Sequence, residues 1–187
     1  MTTAQKTAIE TAVTYTDWDF SDVTTFFRYW RDRSELTDFP LIDTSSGTNF
    51  FDAWRSCSSL TSFPALDLSS GTNFSNAWRS CSLLTSLPAL DVSSGTIFNR
   101  TWLSCSSLQD FPANMFDSVT ATDFEFAFEN TNLTQTSIDN ILTSIDTANT
   151  SNGTFLQSGG SAPSAVGEAA IDNLRARGWT VTVTGGY

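Results

Sequence analysis

Four tryptophans, Trp30, Trp54, Trp78 and Trp102, stand 24 residues apart, and a whole block of sequence keeps step with them. Leu36, Leu60, Leu84 and Leu108 share the spacing, as do Pro40, Pro64, Pro88 and Pro112. So do Phe26, Phe50, Phe74 and Phe98, and Gly47, Gly71 and Gly95. A fixed period of about 20–50 residues marks a repeat architecture, in which one short unit cannot bury its apolar face until copies of itself cover it. The period therefore predicts an α/β solenoid of 24-residue units, each a short parallel strand plus a short helix, capped at both ends.

Within one unit, Ser70, Gly71 and Thr72 form a turn able to cap a helix start. Phe74, Ala77, Trp78 and Cys81 then fall at i, i+3, i+4 and i+7, which predicts a helix over 74–81. Phe50, Ala53, Trp54 and Cys57 repeat the stripe, and Phe98, Thr101, Trp102 and Cys105 repeat it with one polar change. The outer copies differ, as end units should: Arg33 replaces the cysteine after Phe26, Tyr29 and Trp30, and Phe128 replaces the tryptophan among Phe124, Ala127 and Thr131. Pro64 has no amide hydrogen, so the strand is placed after it, at 65–69, with Leu66 and Leu68 inward and Asp67 outward.

Three regions follow. Residues 1–20 hold a weak amphipathic pattern, Ala8, Ile9, Ala12 and Val13, read as an N-terminal cap or docking helix. Residues 21–134 are the repeat stack. Residues 135–187 read as a C-terminal cap. In it, Ile138, Ile141, Leu142 and Ile145 stripe one helix, and a strand lies at 154–156. A second helix, N-capped by Ser164 and ended by Gly178, buries Val166, Ala169, Ala170 and Leu174, and a last strand spans 179–183. A strand-helix-strand run of this length adds parallel strands.

Composition narrows the function. The chain has no histidine, which removes His-based acid-base chemistry, the usual Ser-His-Asp and Cys-His sites and His-ligated metals. Nine basic residues against twenty acidic ones leave a net charge of −11. Such a surface repels phosphate backbones and anionic membranes, so neither nucleic acid nor membrane insertion is expected. Residues 1–20 lack the apolar stretch of a signal peptide. The expectation is a chain that stays where it is made, leaves by another route, or travels inside a larger particle. Cys57, Cys81 and Cys105 occur once per unit, in neither a disulfide nor a zinc pattern, and read as small buried hydrophobes. No catalytic site, metal or cofactor is expected.

The candidate ligand-binding residues are Asp43, Asp67 and Asp91 with Ser45, Ser69 and Ser93, placed by the period on the outer side of successive units. Carboxylate oxygens are acceptors and hard ligands, so a column of them suits a cation or the hydroxyls of a glycan. The alternative is that each aspartate pairs with its own turn and keeps the surface soluble. Arg31, Arg55 and Arg79 follow the tryptophans; they either meet an acidic sugar or partner chain or stay solvated beside local carboxylates. Nothing in the sequence marks a perturbed carboxylate pair of glycosidase type.

The pattern LxxFPxLxLSSGTNFxxAWRSCSSL resembles the BspA-like class of leucine-rich repeats, through Trp54, Cys57 and Leu60, Trp78, Cys81 and Leu84, and Trp102, Cys105 and Leu108. It departs from that class in its tryptophan and in the proline after Phe63. The run from Ser161-Ala-Pro163-Ser164 to Arg177-Gly178-Trp179-Thr180-Val181 is similar to a closing segment of repeat proteins in bacteriophage virions. The resemblance implies a non-enzymatic virion protein, a tail-fibre or host-receptor-binding component assembled in the host cytoplasm. Its implied partners are other virion proteins, through the N-terminal segment, and a host surface glycan or protein, with a homo-oligomer as one arrangement. A capsid or tail decoration or connector, and a bacterial surface adhesin, are the other readings.

Overall fold

Two residues with left-handed backbone in each unit decide its secondary structure. In the computed structural model, which describes residues 19–187, φ is 55° and 62° at Asp52 and Ser56, 56° and 62° at Asn76 and Ser80, and 56° and 62° at Arg100 and Ser104. A right-handed helix cannot pass through such a residue. The segment predicted as a helix over 74–81 is instead a run of overlapping turns. The Ala77, Arg79 and Cys81 amides donate to the carbonyls of Phe74, Asn76 and Trp78 at 3.0, 3.1 and 3.0 Å. The alternate amides leave the segment. Those of Phe74, Asn76, Trp78 and Ser80 donate to Ile97, Asn99, Thr101 and Leu103 in the next unit, at 2.8–3.0 Å.

The expected α/β leucine-rich-repeat solenoid of strand-plus-helix units is therefore corrected. Regular structure among the described residues is three short parallel strands and two helices: β1 (Asp123–Phe128), α1 (Gln135–Thr147), β2 (Thr154–Gln157), α2 (Ala165–Ala176) and β3 (Thr180–Thr182). The strands make one open sheet of order β1-β2-β3. All five elements lie beyond residue 122, too few for a strand and helix in every unit. The strand expected at 65–69 is also absent. The Leu66 amide turns back onto the Pro64 carbonyl at 2.9 Å, and the bridges between units, such as Thr25 to Asn49 and Asn49 to Asn73, are isolated.

The turn segments nevertheless meet in register, and aromatic side chains fill the space between them. Trp30, Trp54, Trp78 and Trp102 stack with centroids 5.4, 5.1 and 5.7 Å apart and planes within 12°, and Phe128 continues the column 4.9 Å beyond Trp102. Beside them Phe26, Phe50, Phe74, Phe98 and Phe124 form a second column at 5.1–5.4 Å. Phe39, Phe63 and Phe111 stand perpendicular to the indoles at 4.8–5.5 Å. Both columns are fully buried, and the four indole Nε1 groups have no hydrogen-bond acceptor. The area removed from water outweighs those lost bonds, each costing about 1–3 kcal/mol. The fourth unit is longer: Phe98 meets Phe124, and the Phe98 amide donates to Asp123, a larger offset than in the units before it.

Cys57, Cys81 and Cys105 are fully buried, and each thiol donates to the tryptophan carbonyl of the preceding unit, at 3.2, 3.1 and 3.0 Å. Burial pushes the Cys57 and Cys105 thiols up to about 12 and Cys81 well above its ordinary value. Unfolded thiols ionise near about 8.5, so above that pH the unfolded chain holds fewer protons than the folded one. Stability is therefore complete below that pH and is lost as pH rises toward 12. We expect the urea midpoint to fall between pH 8 and 10 by more in this protein than in its triple Cys→Ala variant. The native thiols should also resist a thiol reagent until denaturant is added; fast labelling of all three in the native state would contradict their burial.

The C-terminal region closes the stack. Helix α1 begins where the Thr134 hydroxyl accepts the Ser137 amide, and buries Ile138, Ile141, Leu142 and Ile145, the stripe expected of it. Two serines on its buried face, Ser137 and Ser144, accept the Phe111 and Phe116 amides at 3.0 and 2.8 Å, which moors the helix to the long fourth unit. Helix α2 is capped by Ser164, as expected, but its face is corrected: Val166 and Ala169 are exposed, and Gly167, Ala170, Ile171 and Leu174 are buried. The pattern turns because Gly167 lies against α1, where an added Cβ would stand 2.3 Å from Asp139 Oδ1. Val181 in β3 and the flanking Trp179 and Val183 point inward. The cap or docking helix read over 1–20 lies almost wholly outside the described residues.

Candidate binding faces on the repeated turns

Each predicted aspartate sits two residues before its predicted serine, close enough to bond it. Asp43 Oδ1 accepts the Ser45 amide at 3.0 Å and the Ser45 hydroxyl at 2.7 Å; Asp67 Oδ1 accepts those of Ser69 at 3.0 and 2.6 Å. Asp91 Oδ1 accepts the Ser93 amide at 3.0 Å. An aspartate that bonds its own backbone two residues on is a turn former, so local structure accounts for Oδ1 in all three. Oδ2 of Asp43, Asp67 and Asp91 makes no hydrogen bond among the described residues, and all three side chains are exposed.

Hydrogen bonds from Ser45, hydroxyl before amide, hold the Asp43 carboxyl below the usual carboxylate range, outweighing desolvation and the like charges of Asp19 and Asp67. Ser93 does the same for Asp91. Asp19 carries an earlier copy of the motif: its Oδ1 accepts the Ser21 amide at 2.9 Å and the hydroxyl at 2.5 Å. The sequence reading passed over it because the tryptophan period was followed from Trp30, yet the Asp-x-Ser spacing is legible there. Among the described residues no three acidic, cysteine or histidine side chains converge on one point that a metal ion would occupy.

The aspartate row ends in a hollow of about 210 Å³ lined by residues 90–93 with Asn114, Met115 and Ser118. It exists because the longer fourth unit replaces the regular turn with residues 113–118, where Asn114 takes a left-handed φ of 63°. Here one carboxylate of the row borders a concave surface.

The arginines form a different constellation. Arg31 Nη1 lies 3.0 Å from Asp52 Oδ2, Arg28 Nε 3.2 Å and Arg55 Nη1 3.5 Å from the same oxygen. Asp52 is buried, its side chain 1% exposed, and its Oδ1 has no hydrogen-bond partner. The sequence reading missed Asp52. The signal was there: equivalent positions of neighbouring units hold Arg28, Asn76 and Arg100, and the left-handed backbone at this site suits Asp and Asn. Arg79 makes no ion pair among the described residues and reaches Asn76 Oδ1 at 3.3 Å.

Among the described residues no helix is long and apolar enough to cross a membrane. No protein-family model, curated protein or solved structure matches the chain.

Proposed function

We propose that the chain is a non-enzymatic recognition component of a bacteriophage virion, part of a tail fibre or receptor-binding device, which holds a host surface glycan through its repeated turns. One observation carries this reading: the same Asp–Ser pair recurs on successive turns, each leaving one exposed carboxylate oxygen without a partner. A regular row of acceptors suits a regular row of hydroxyls, which is what a polysaccharide presents. The likeness of residues 161–181 to closing segments of virion proteins supports the phage setting. In this reading the protein assembles in the host cytoplasm and residues 1–20 join it to other virion proteins.

The test is binding of the purified protein to a polysaccharide array and to host cell envelopes, beside the variant carrying Asp43→Asn, Asp67→Asn and Asp91→Asn. Asparagine keeps Oδ1 as the turn acceptor, so the variant should fold. We expect its glycan binding to fall at least tenfold, since each lost carboxylate acceptor removes a charge-assisted bond of about 1.5–3 kcal/mol. No binding by the parent protein to any glycan or envelope rules the reading out, and favours a structural connector.

A further inference from the structure

Six of the nine basic residues of this acidic chain, Arg28, Arg31, Arg33, Arg55, Arg79 and Arg100, lie on the tryptophan-bearing turn segments. Three of them share the single buried carboxylate of Asp52. Arg79 and Arg100 make no ion pair among the described residues. Arg79 bonds Asn76, and Arg100 bonds Asn99 Oδ1 at 2.7 Å while its guanidinium lies 4.9 Å from the Phe126 ring centre. Burial, then the like charges of Arg55 and Arg100, hold the Arg79 guanidinium below its ordinary value. Asp32 also stands 3.2 Å from Arg31 Nε, so these cations lie near one another and outnumber the two carboxylates, Asp52 and Asp32, that pair with Arg28, Arg31 and Arg55. At one end the exposed Phe27 ring stacks on Phe51 at 5.3 Å, and the Arg28 guanidinium lies 4.8 Å from the Phe27 centre.

We propose that this arginine row binds an acidic polysaccharide, one whose sugars carry a carboxylate or a sulfate. Arg55, Arg79 and Arg100 come from three successive segments, whose spacing follows the indole column at 5.1 and 5.7 Å. From the Trp54 segment to the Trp102 segment there is one arginine per segment, which suits one anion per sugar along an extended polymer. Duplex nucleic acid presents a charge about every 1.7 Å and would need a denser row, on a protein whose net charge already repels it. The planar guanidinium is matched to the two oxygens of a carboxylate or sulfate. The Phe27–Phe51 stack offers a flat apolar surface to a sugar ring at the end of the row. The proposal rests on the recognition reading above for the source of the polymer, and uses none of the Asp–Ser residues.

The test measures binding of the full chain to polygalacturonate, dextran sulfate, neutral dextran and duplex DNA. It compares the parent with the variant carrying Arg79→Gln and Arg100→Gln and with the triple Asp→Asn variant. Arg79 and Arg100 are chosen because neither neutralises Asp52, so the melting temperature should stay within a few degrees of the parent. We expect polygalacturonate or dextran sulfate to bind the parent in preference to neutral dextran, more weakly as salt rises. The double arginine variant should lose at least tenfold, and Arg79→Lys with Arg100→Lys should recover part of that loss. Equal binding by parent and double Gln variant, no preference over neutral dextran, or tighter binding of the DNA overturns the proposal. If the triple Asp→Asn variant alone loses binding, the arginine row is excluded and the Asp–Ser reading stands. If only the arginine variant loses it, the arginine row holds the acidic polymer, and the Asp–Ser reading is decided separately by the polysaccharide array.

Discussion

Trp78→Ala is expected to cost about 3–5 kcal/mol, the range for removing a large buried aromatic, and to leave the protein largely unfolded at 37 °C. Trp78 is fully buried between Trp54 and Trp102, at 5.1 and 5.7 Å and with interplanar angles of 12° and 3°. Its removal opens a void in the middle of the column and strips a stacking partner from both neighbours. It also bares the perpendicular face contact with Phe63 at 5.2 Å. Neighbouring turn segments depend on one another for the amide bonds between them, so the loss should spread rather than stay local. Trp78→Phe should be far milder, because Phe128 already serves at the equivalent position, 4.9 Å from Trp102. Urea denaturation followed by circular dichroism decides the matter. A Trp78→Ala midpoint near that of the parent would mean that the stacked indoles do not hold the segments together.

The second large effect is expected at Gly71. Its backbone is ordinary, so the reason for glycine is space. A Cβ at this site would stand 2.4 Å from Phe74 Cζ, 3.0 Å from the Leu68 carbonyl oxygen and 3.0 Å from Phe50 Cε2. Phe74 cannot give way, since it is stacked at 5.4 Å on Phe50 and at 5.3 Å on Phe98. Gly71→Ala should therefore cost about 1–3 kcal/mol, the usual price of overpacking. The diagnostic is a double-mutant cycle. Combining Gly71→Ala with Phe74→Leu should recover part of the loss, because the shorter side chain vacates the atom nearest the new methyl. Strict additivity of the two changes would place the fault elsewhere, at the Leu68 carbonyl. Gly47 and Gly95 stand in the same relation to Phe50 and Phe98, so the column of glycines exists to let the column of phenyl rings close.

Both expectations draw on features that the sequence shows plainly and on others that it hides. The burial of Phe74, Ala77, Trp78 and Cys81 was legible in their spacing, and all four are fully buried. The helix inferred from that spacing was not there. A stripe at i, i+3, i+4 and i+7 reports which side chains go inward; it does not report where the backbone amides go. In a helix they bond four residues back. In these segments alternate amides bond the next unit instead, and left-handed residues at Asn76 and Ser80 turn them outward. Asn, Asp and Ser at those sites were a usable hint, since such residues tolerate that backbone. The Asp–Ser turns were legible as an Asp-x-Ser spacing, but the shared Asp52 carboxylate was not, because its three arginines come from two different units.

Repetition by itself determined which side chains lie buried and which meet their own copies, because identical units placed side by side must bring like residues together. Outside the repeats, cap residues and apolar stripes marked the two helices that follow, although the face that α2 buries is not the one its stripe suggests. Only the tertiary structure decided that the units are built of turns, that the hollow beside Asp91 opens at the longer unit, and that Arg79 and Arg100 make no ion pair among the described residues. Those features depend on hydrogen bonds and ion pairs between units, and partners far apart along the chain leave no mark in the local pattern of either.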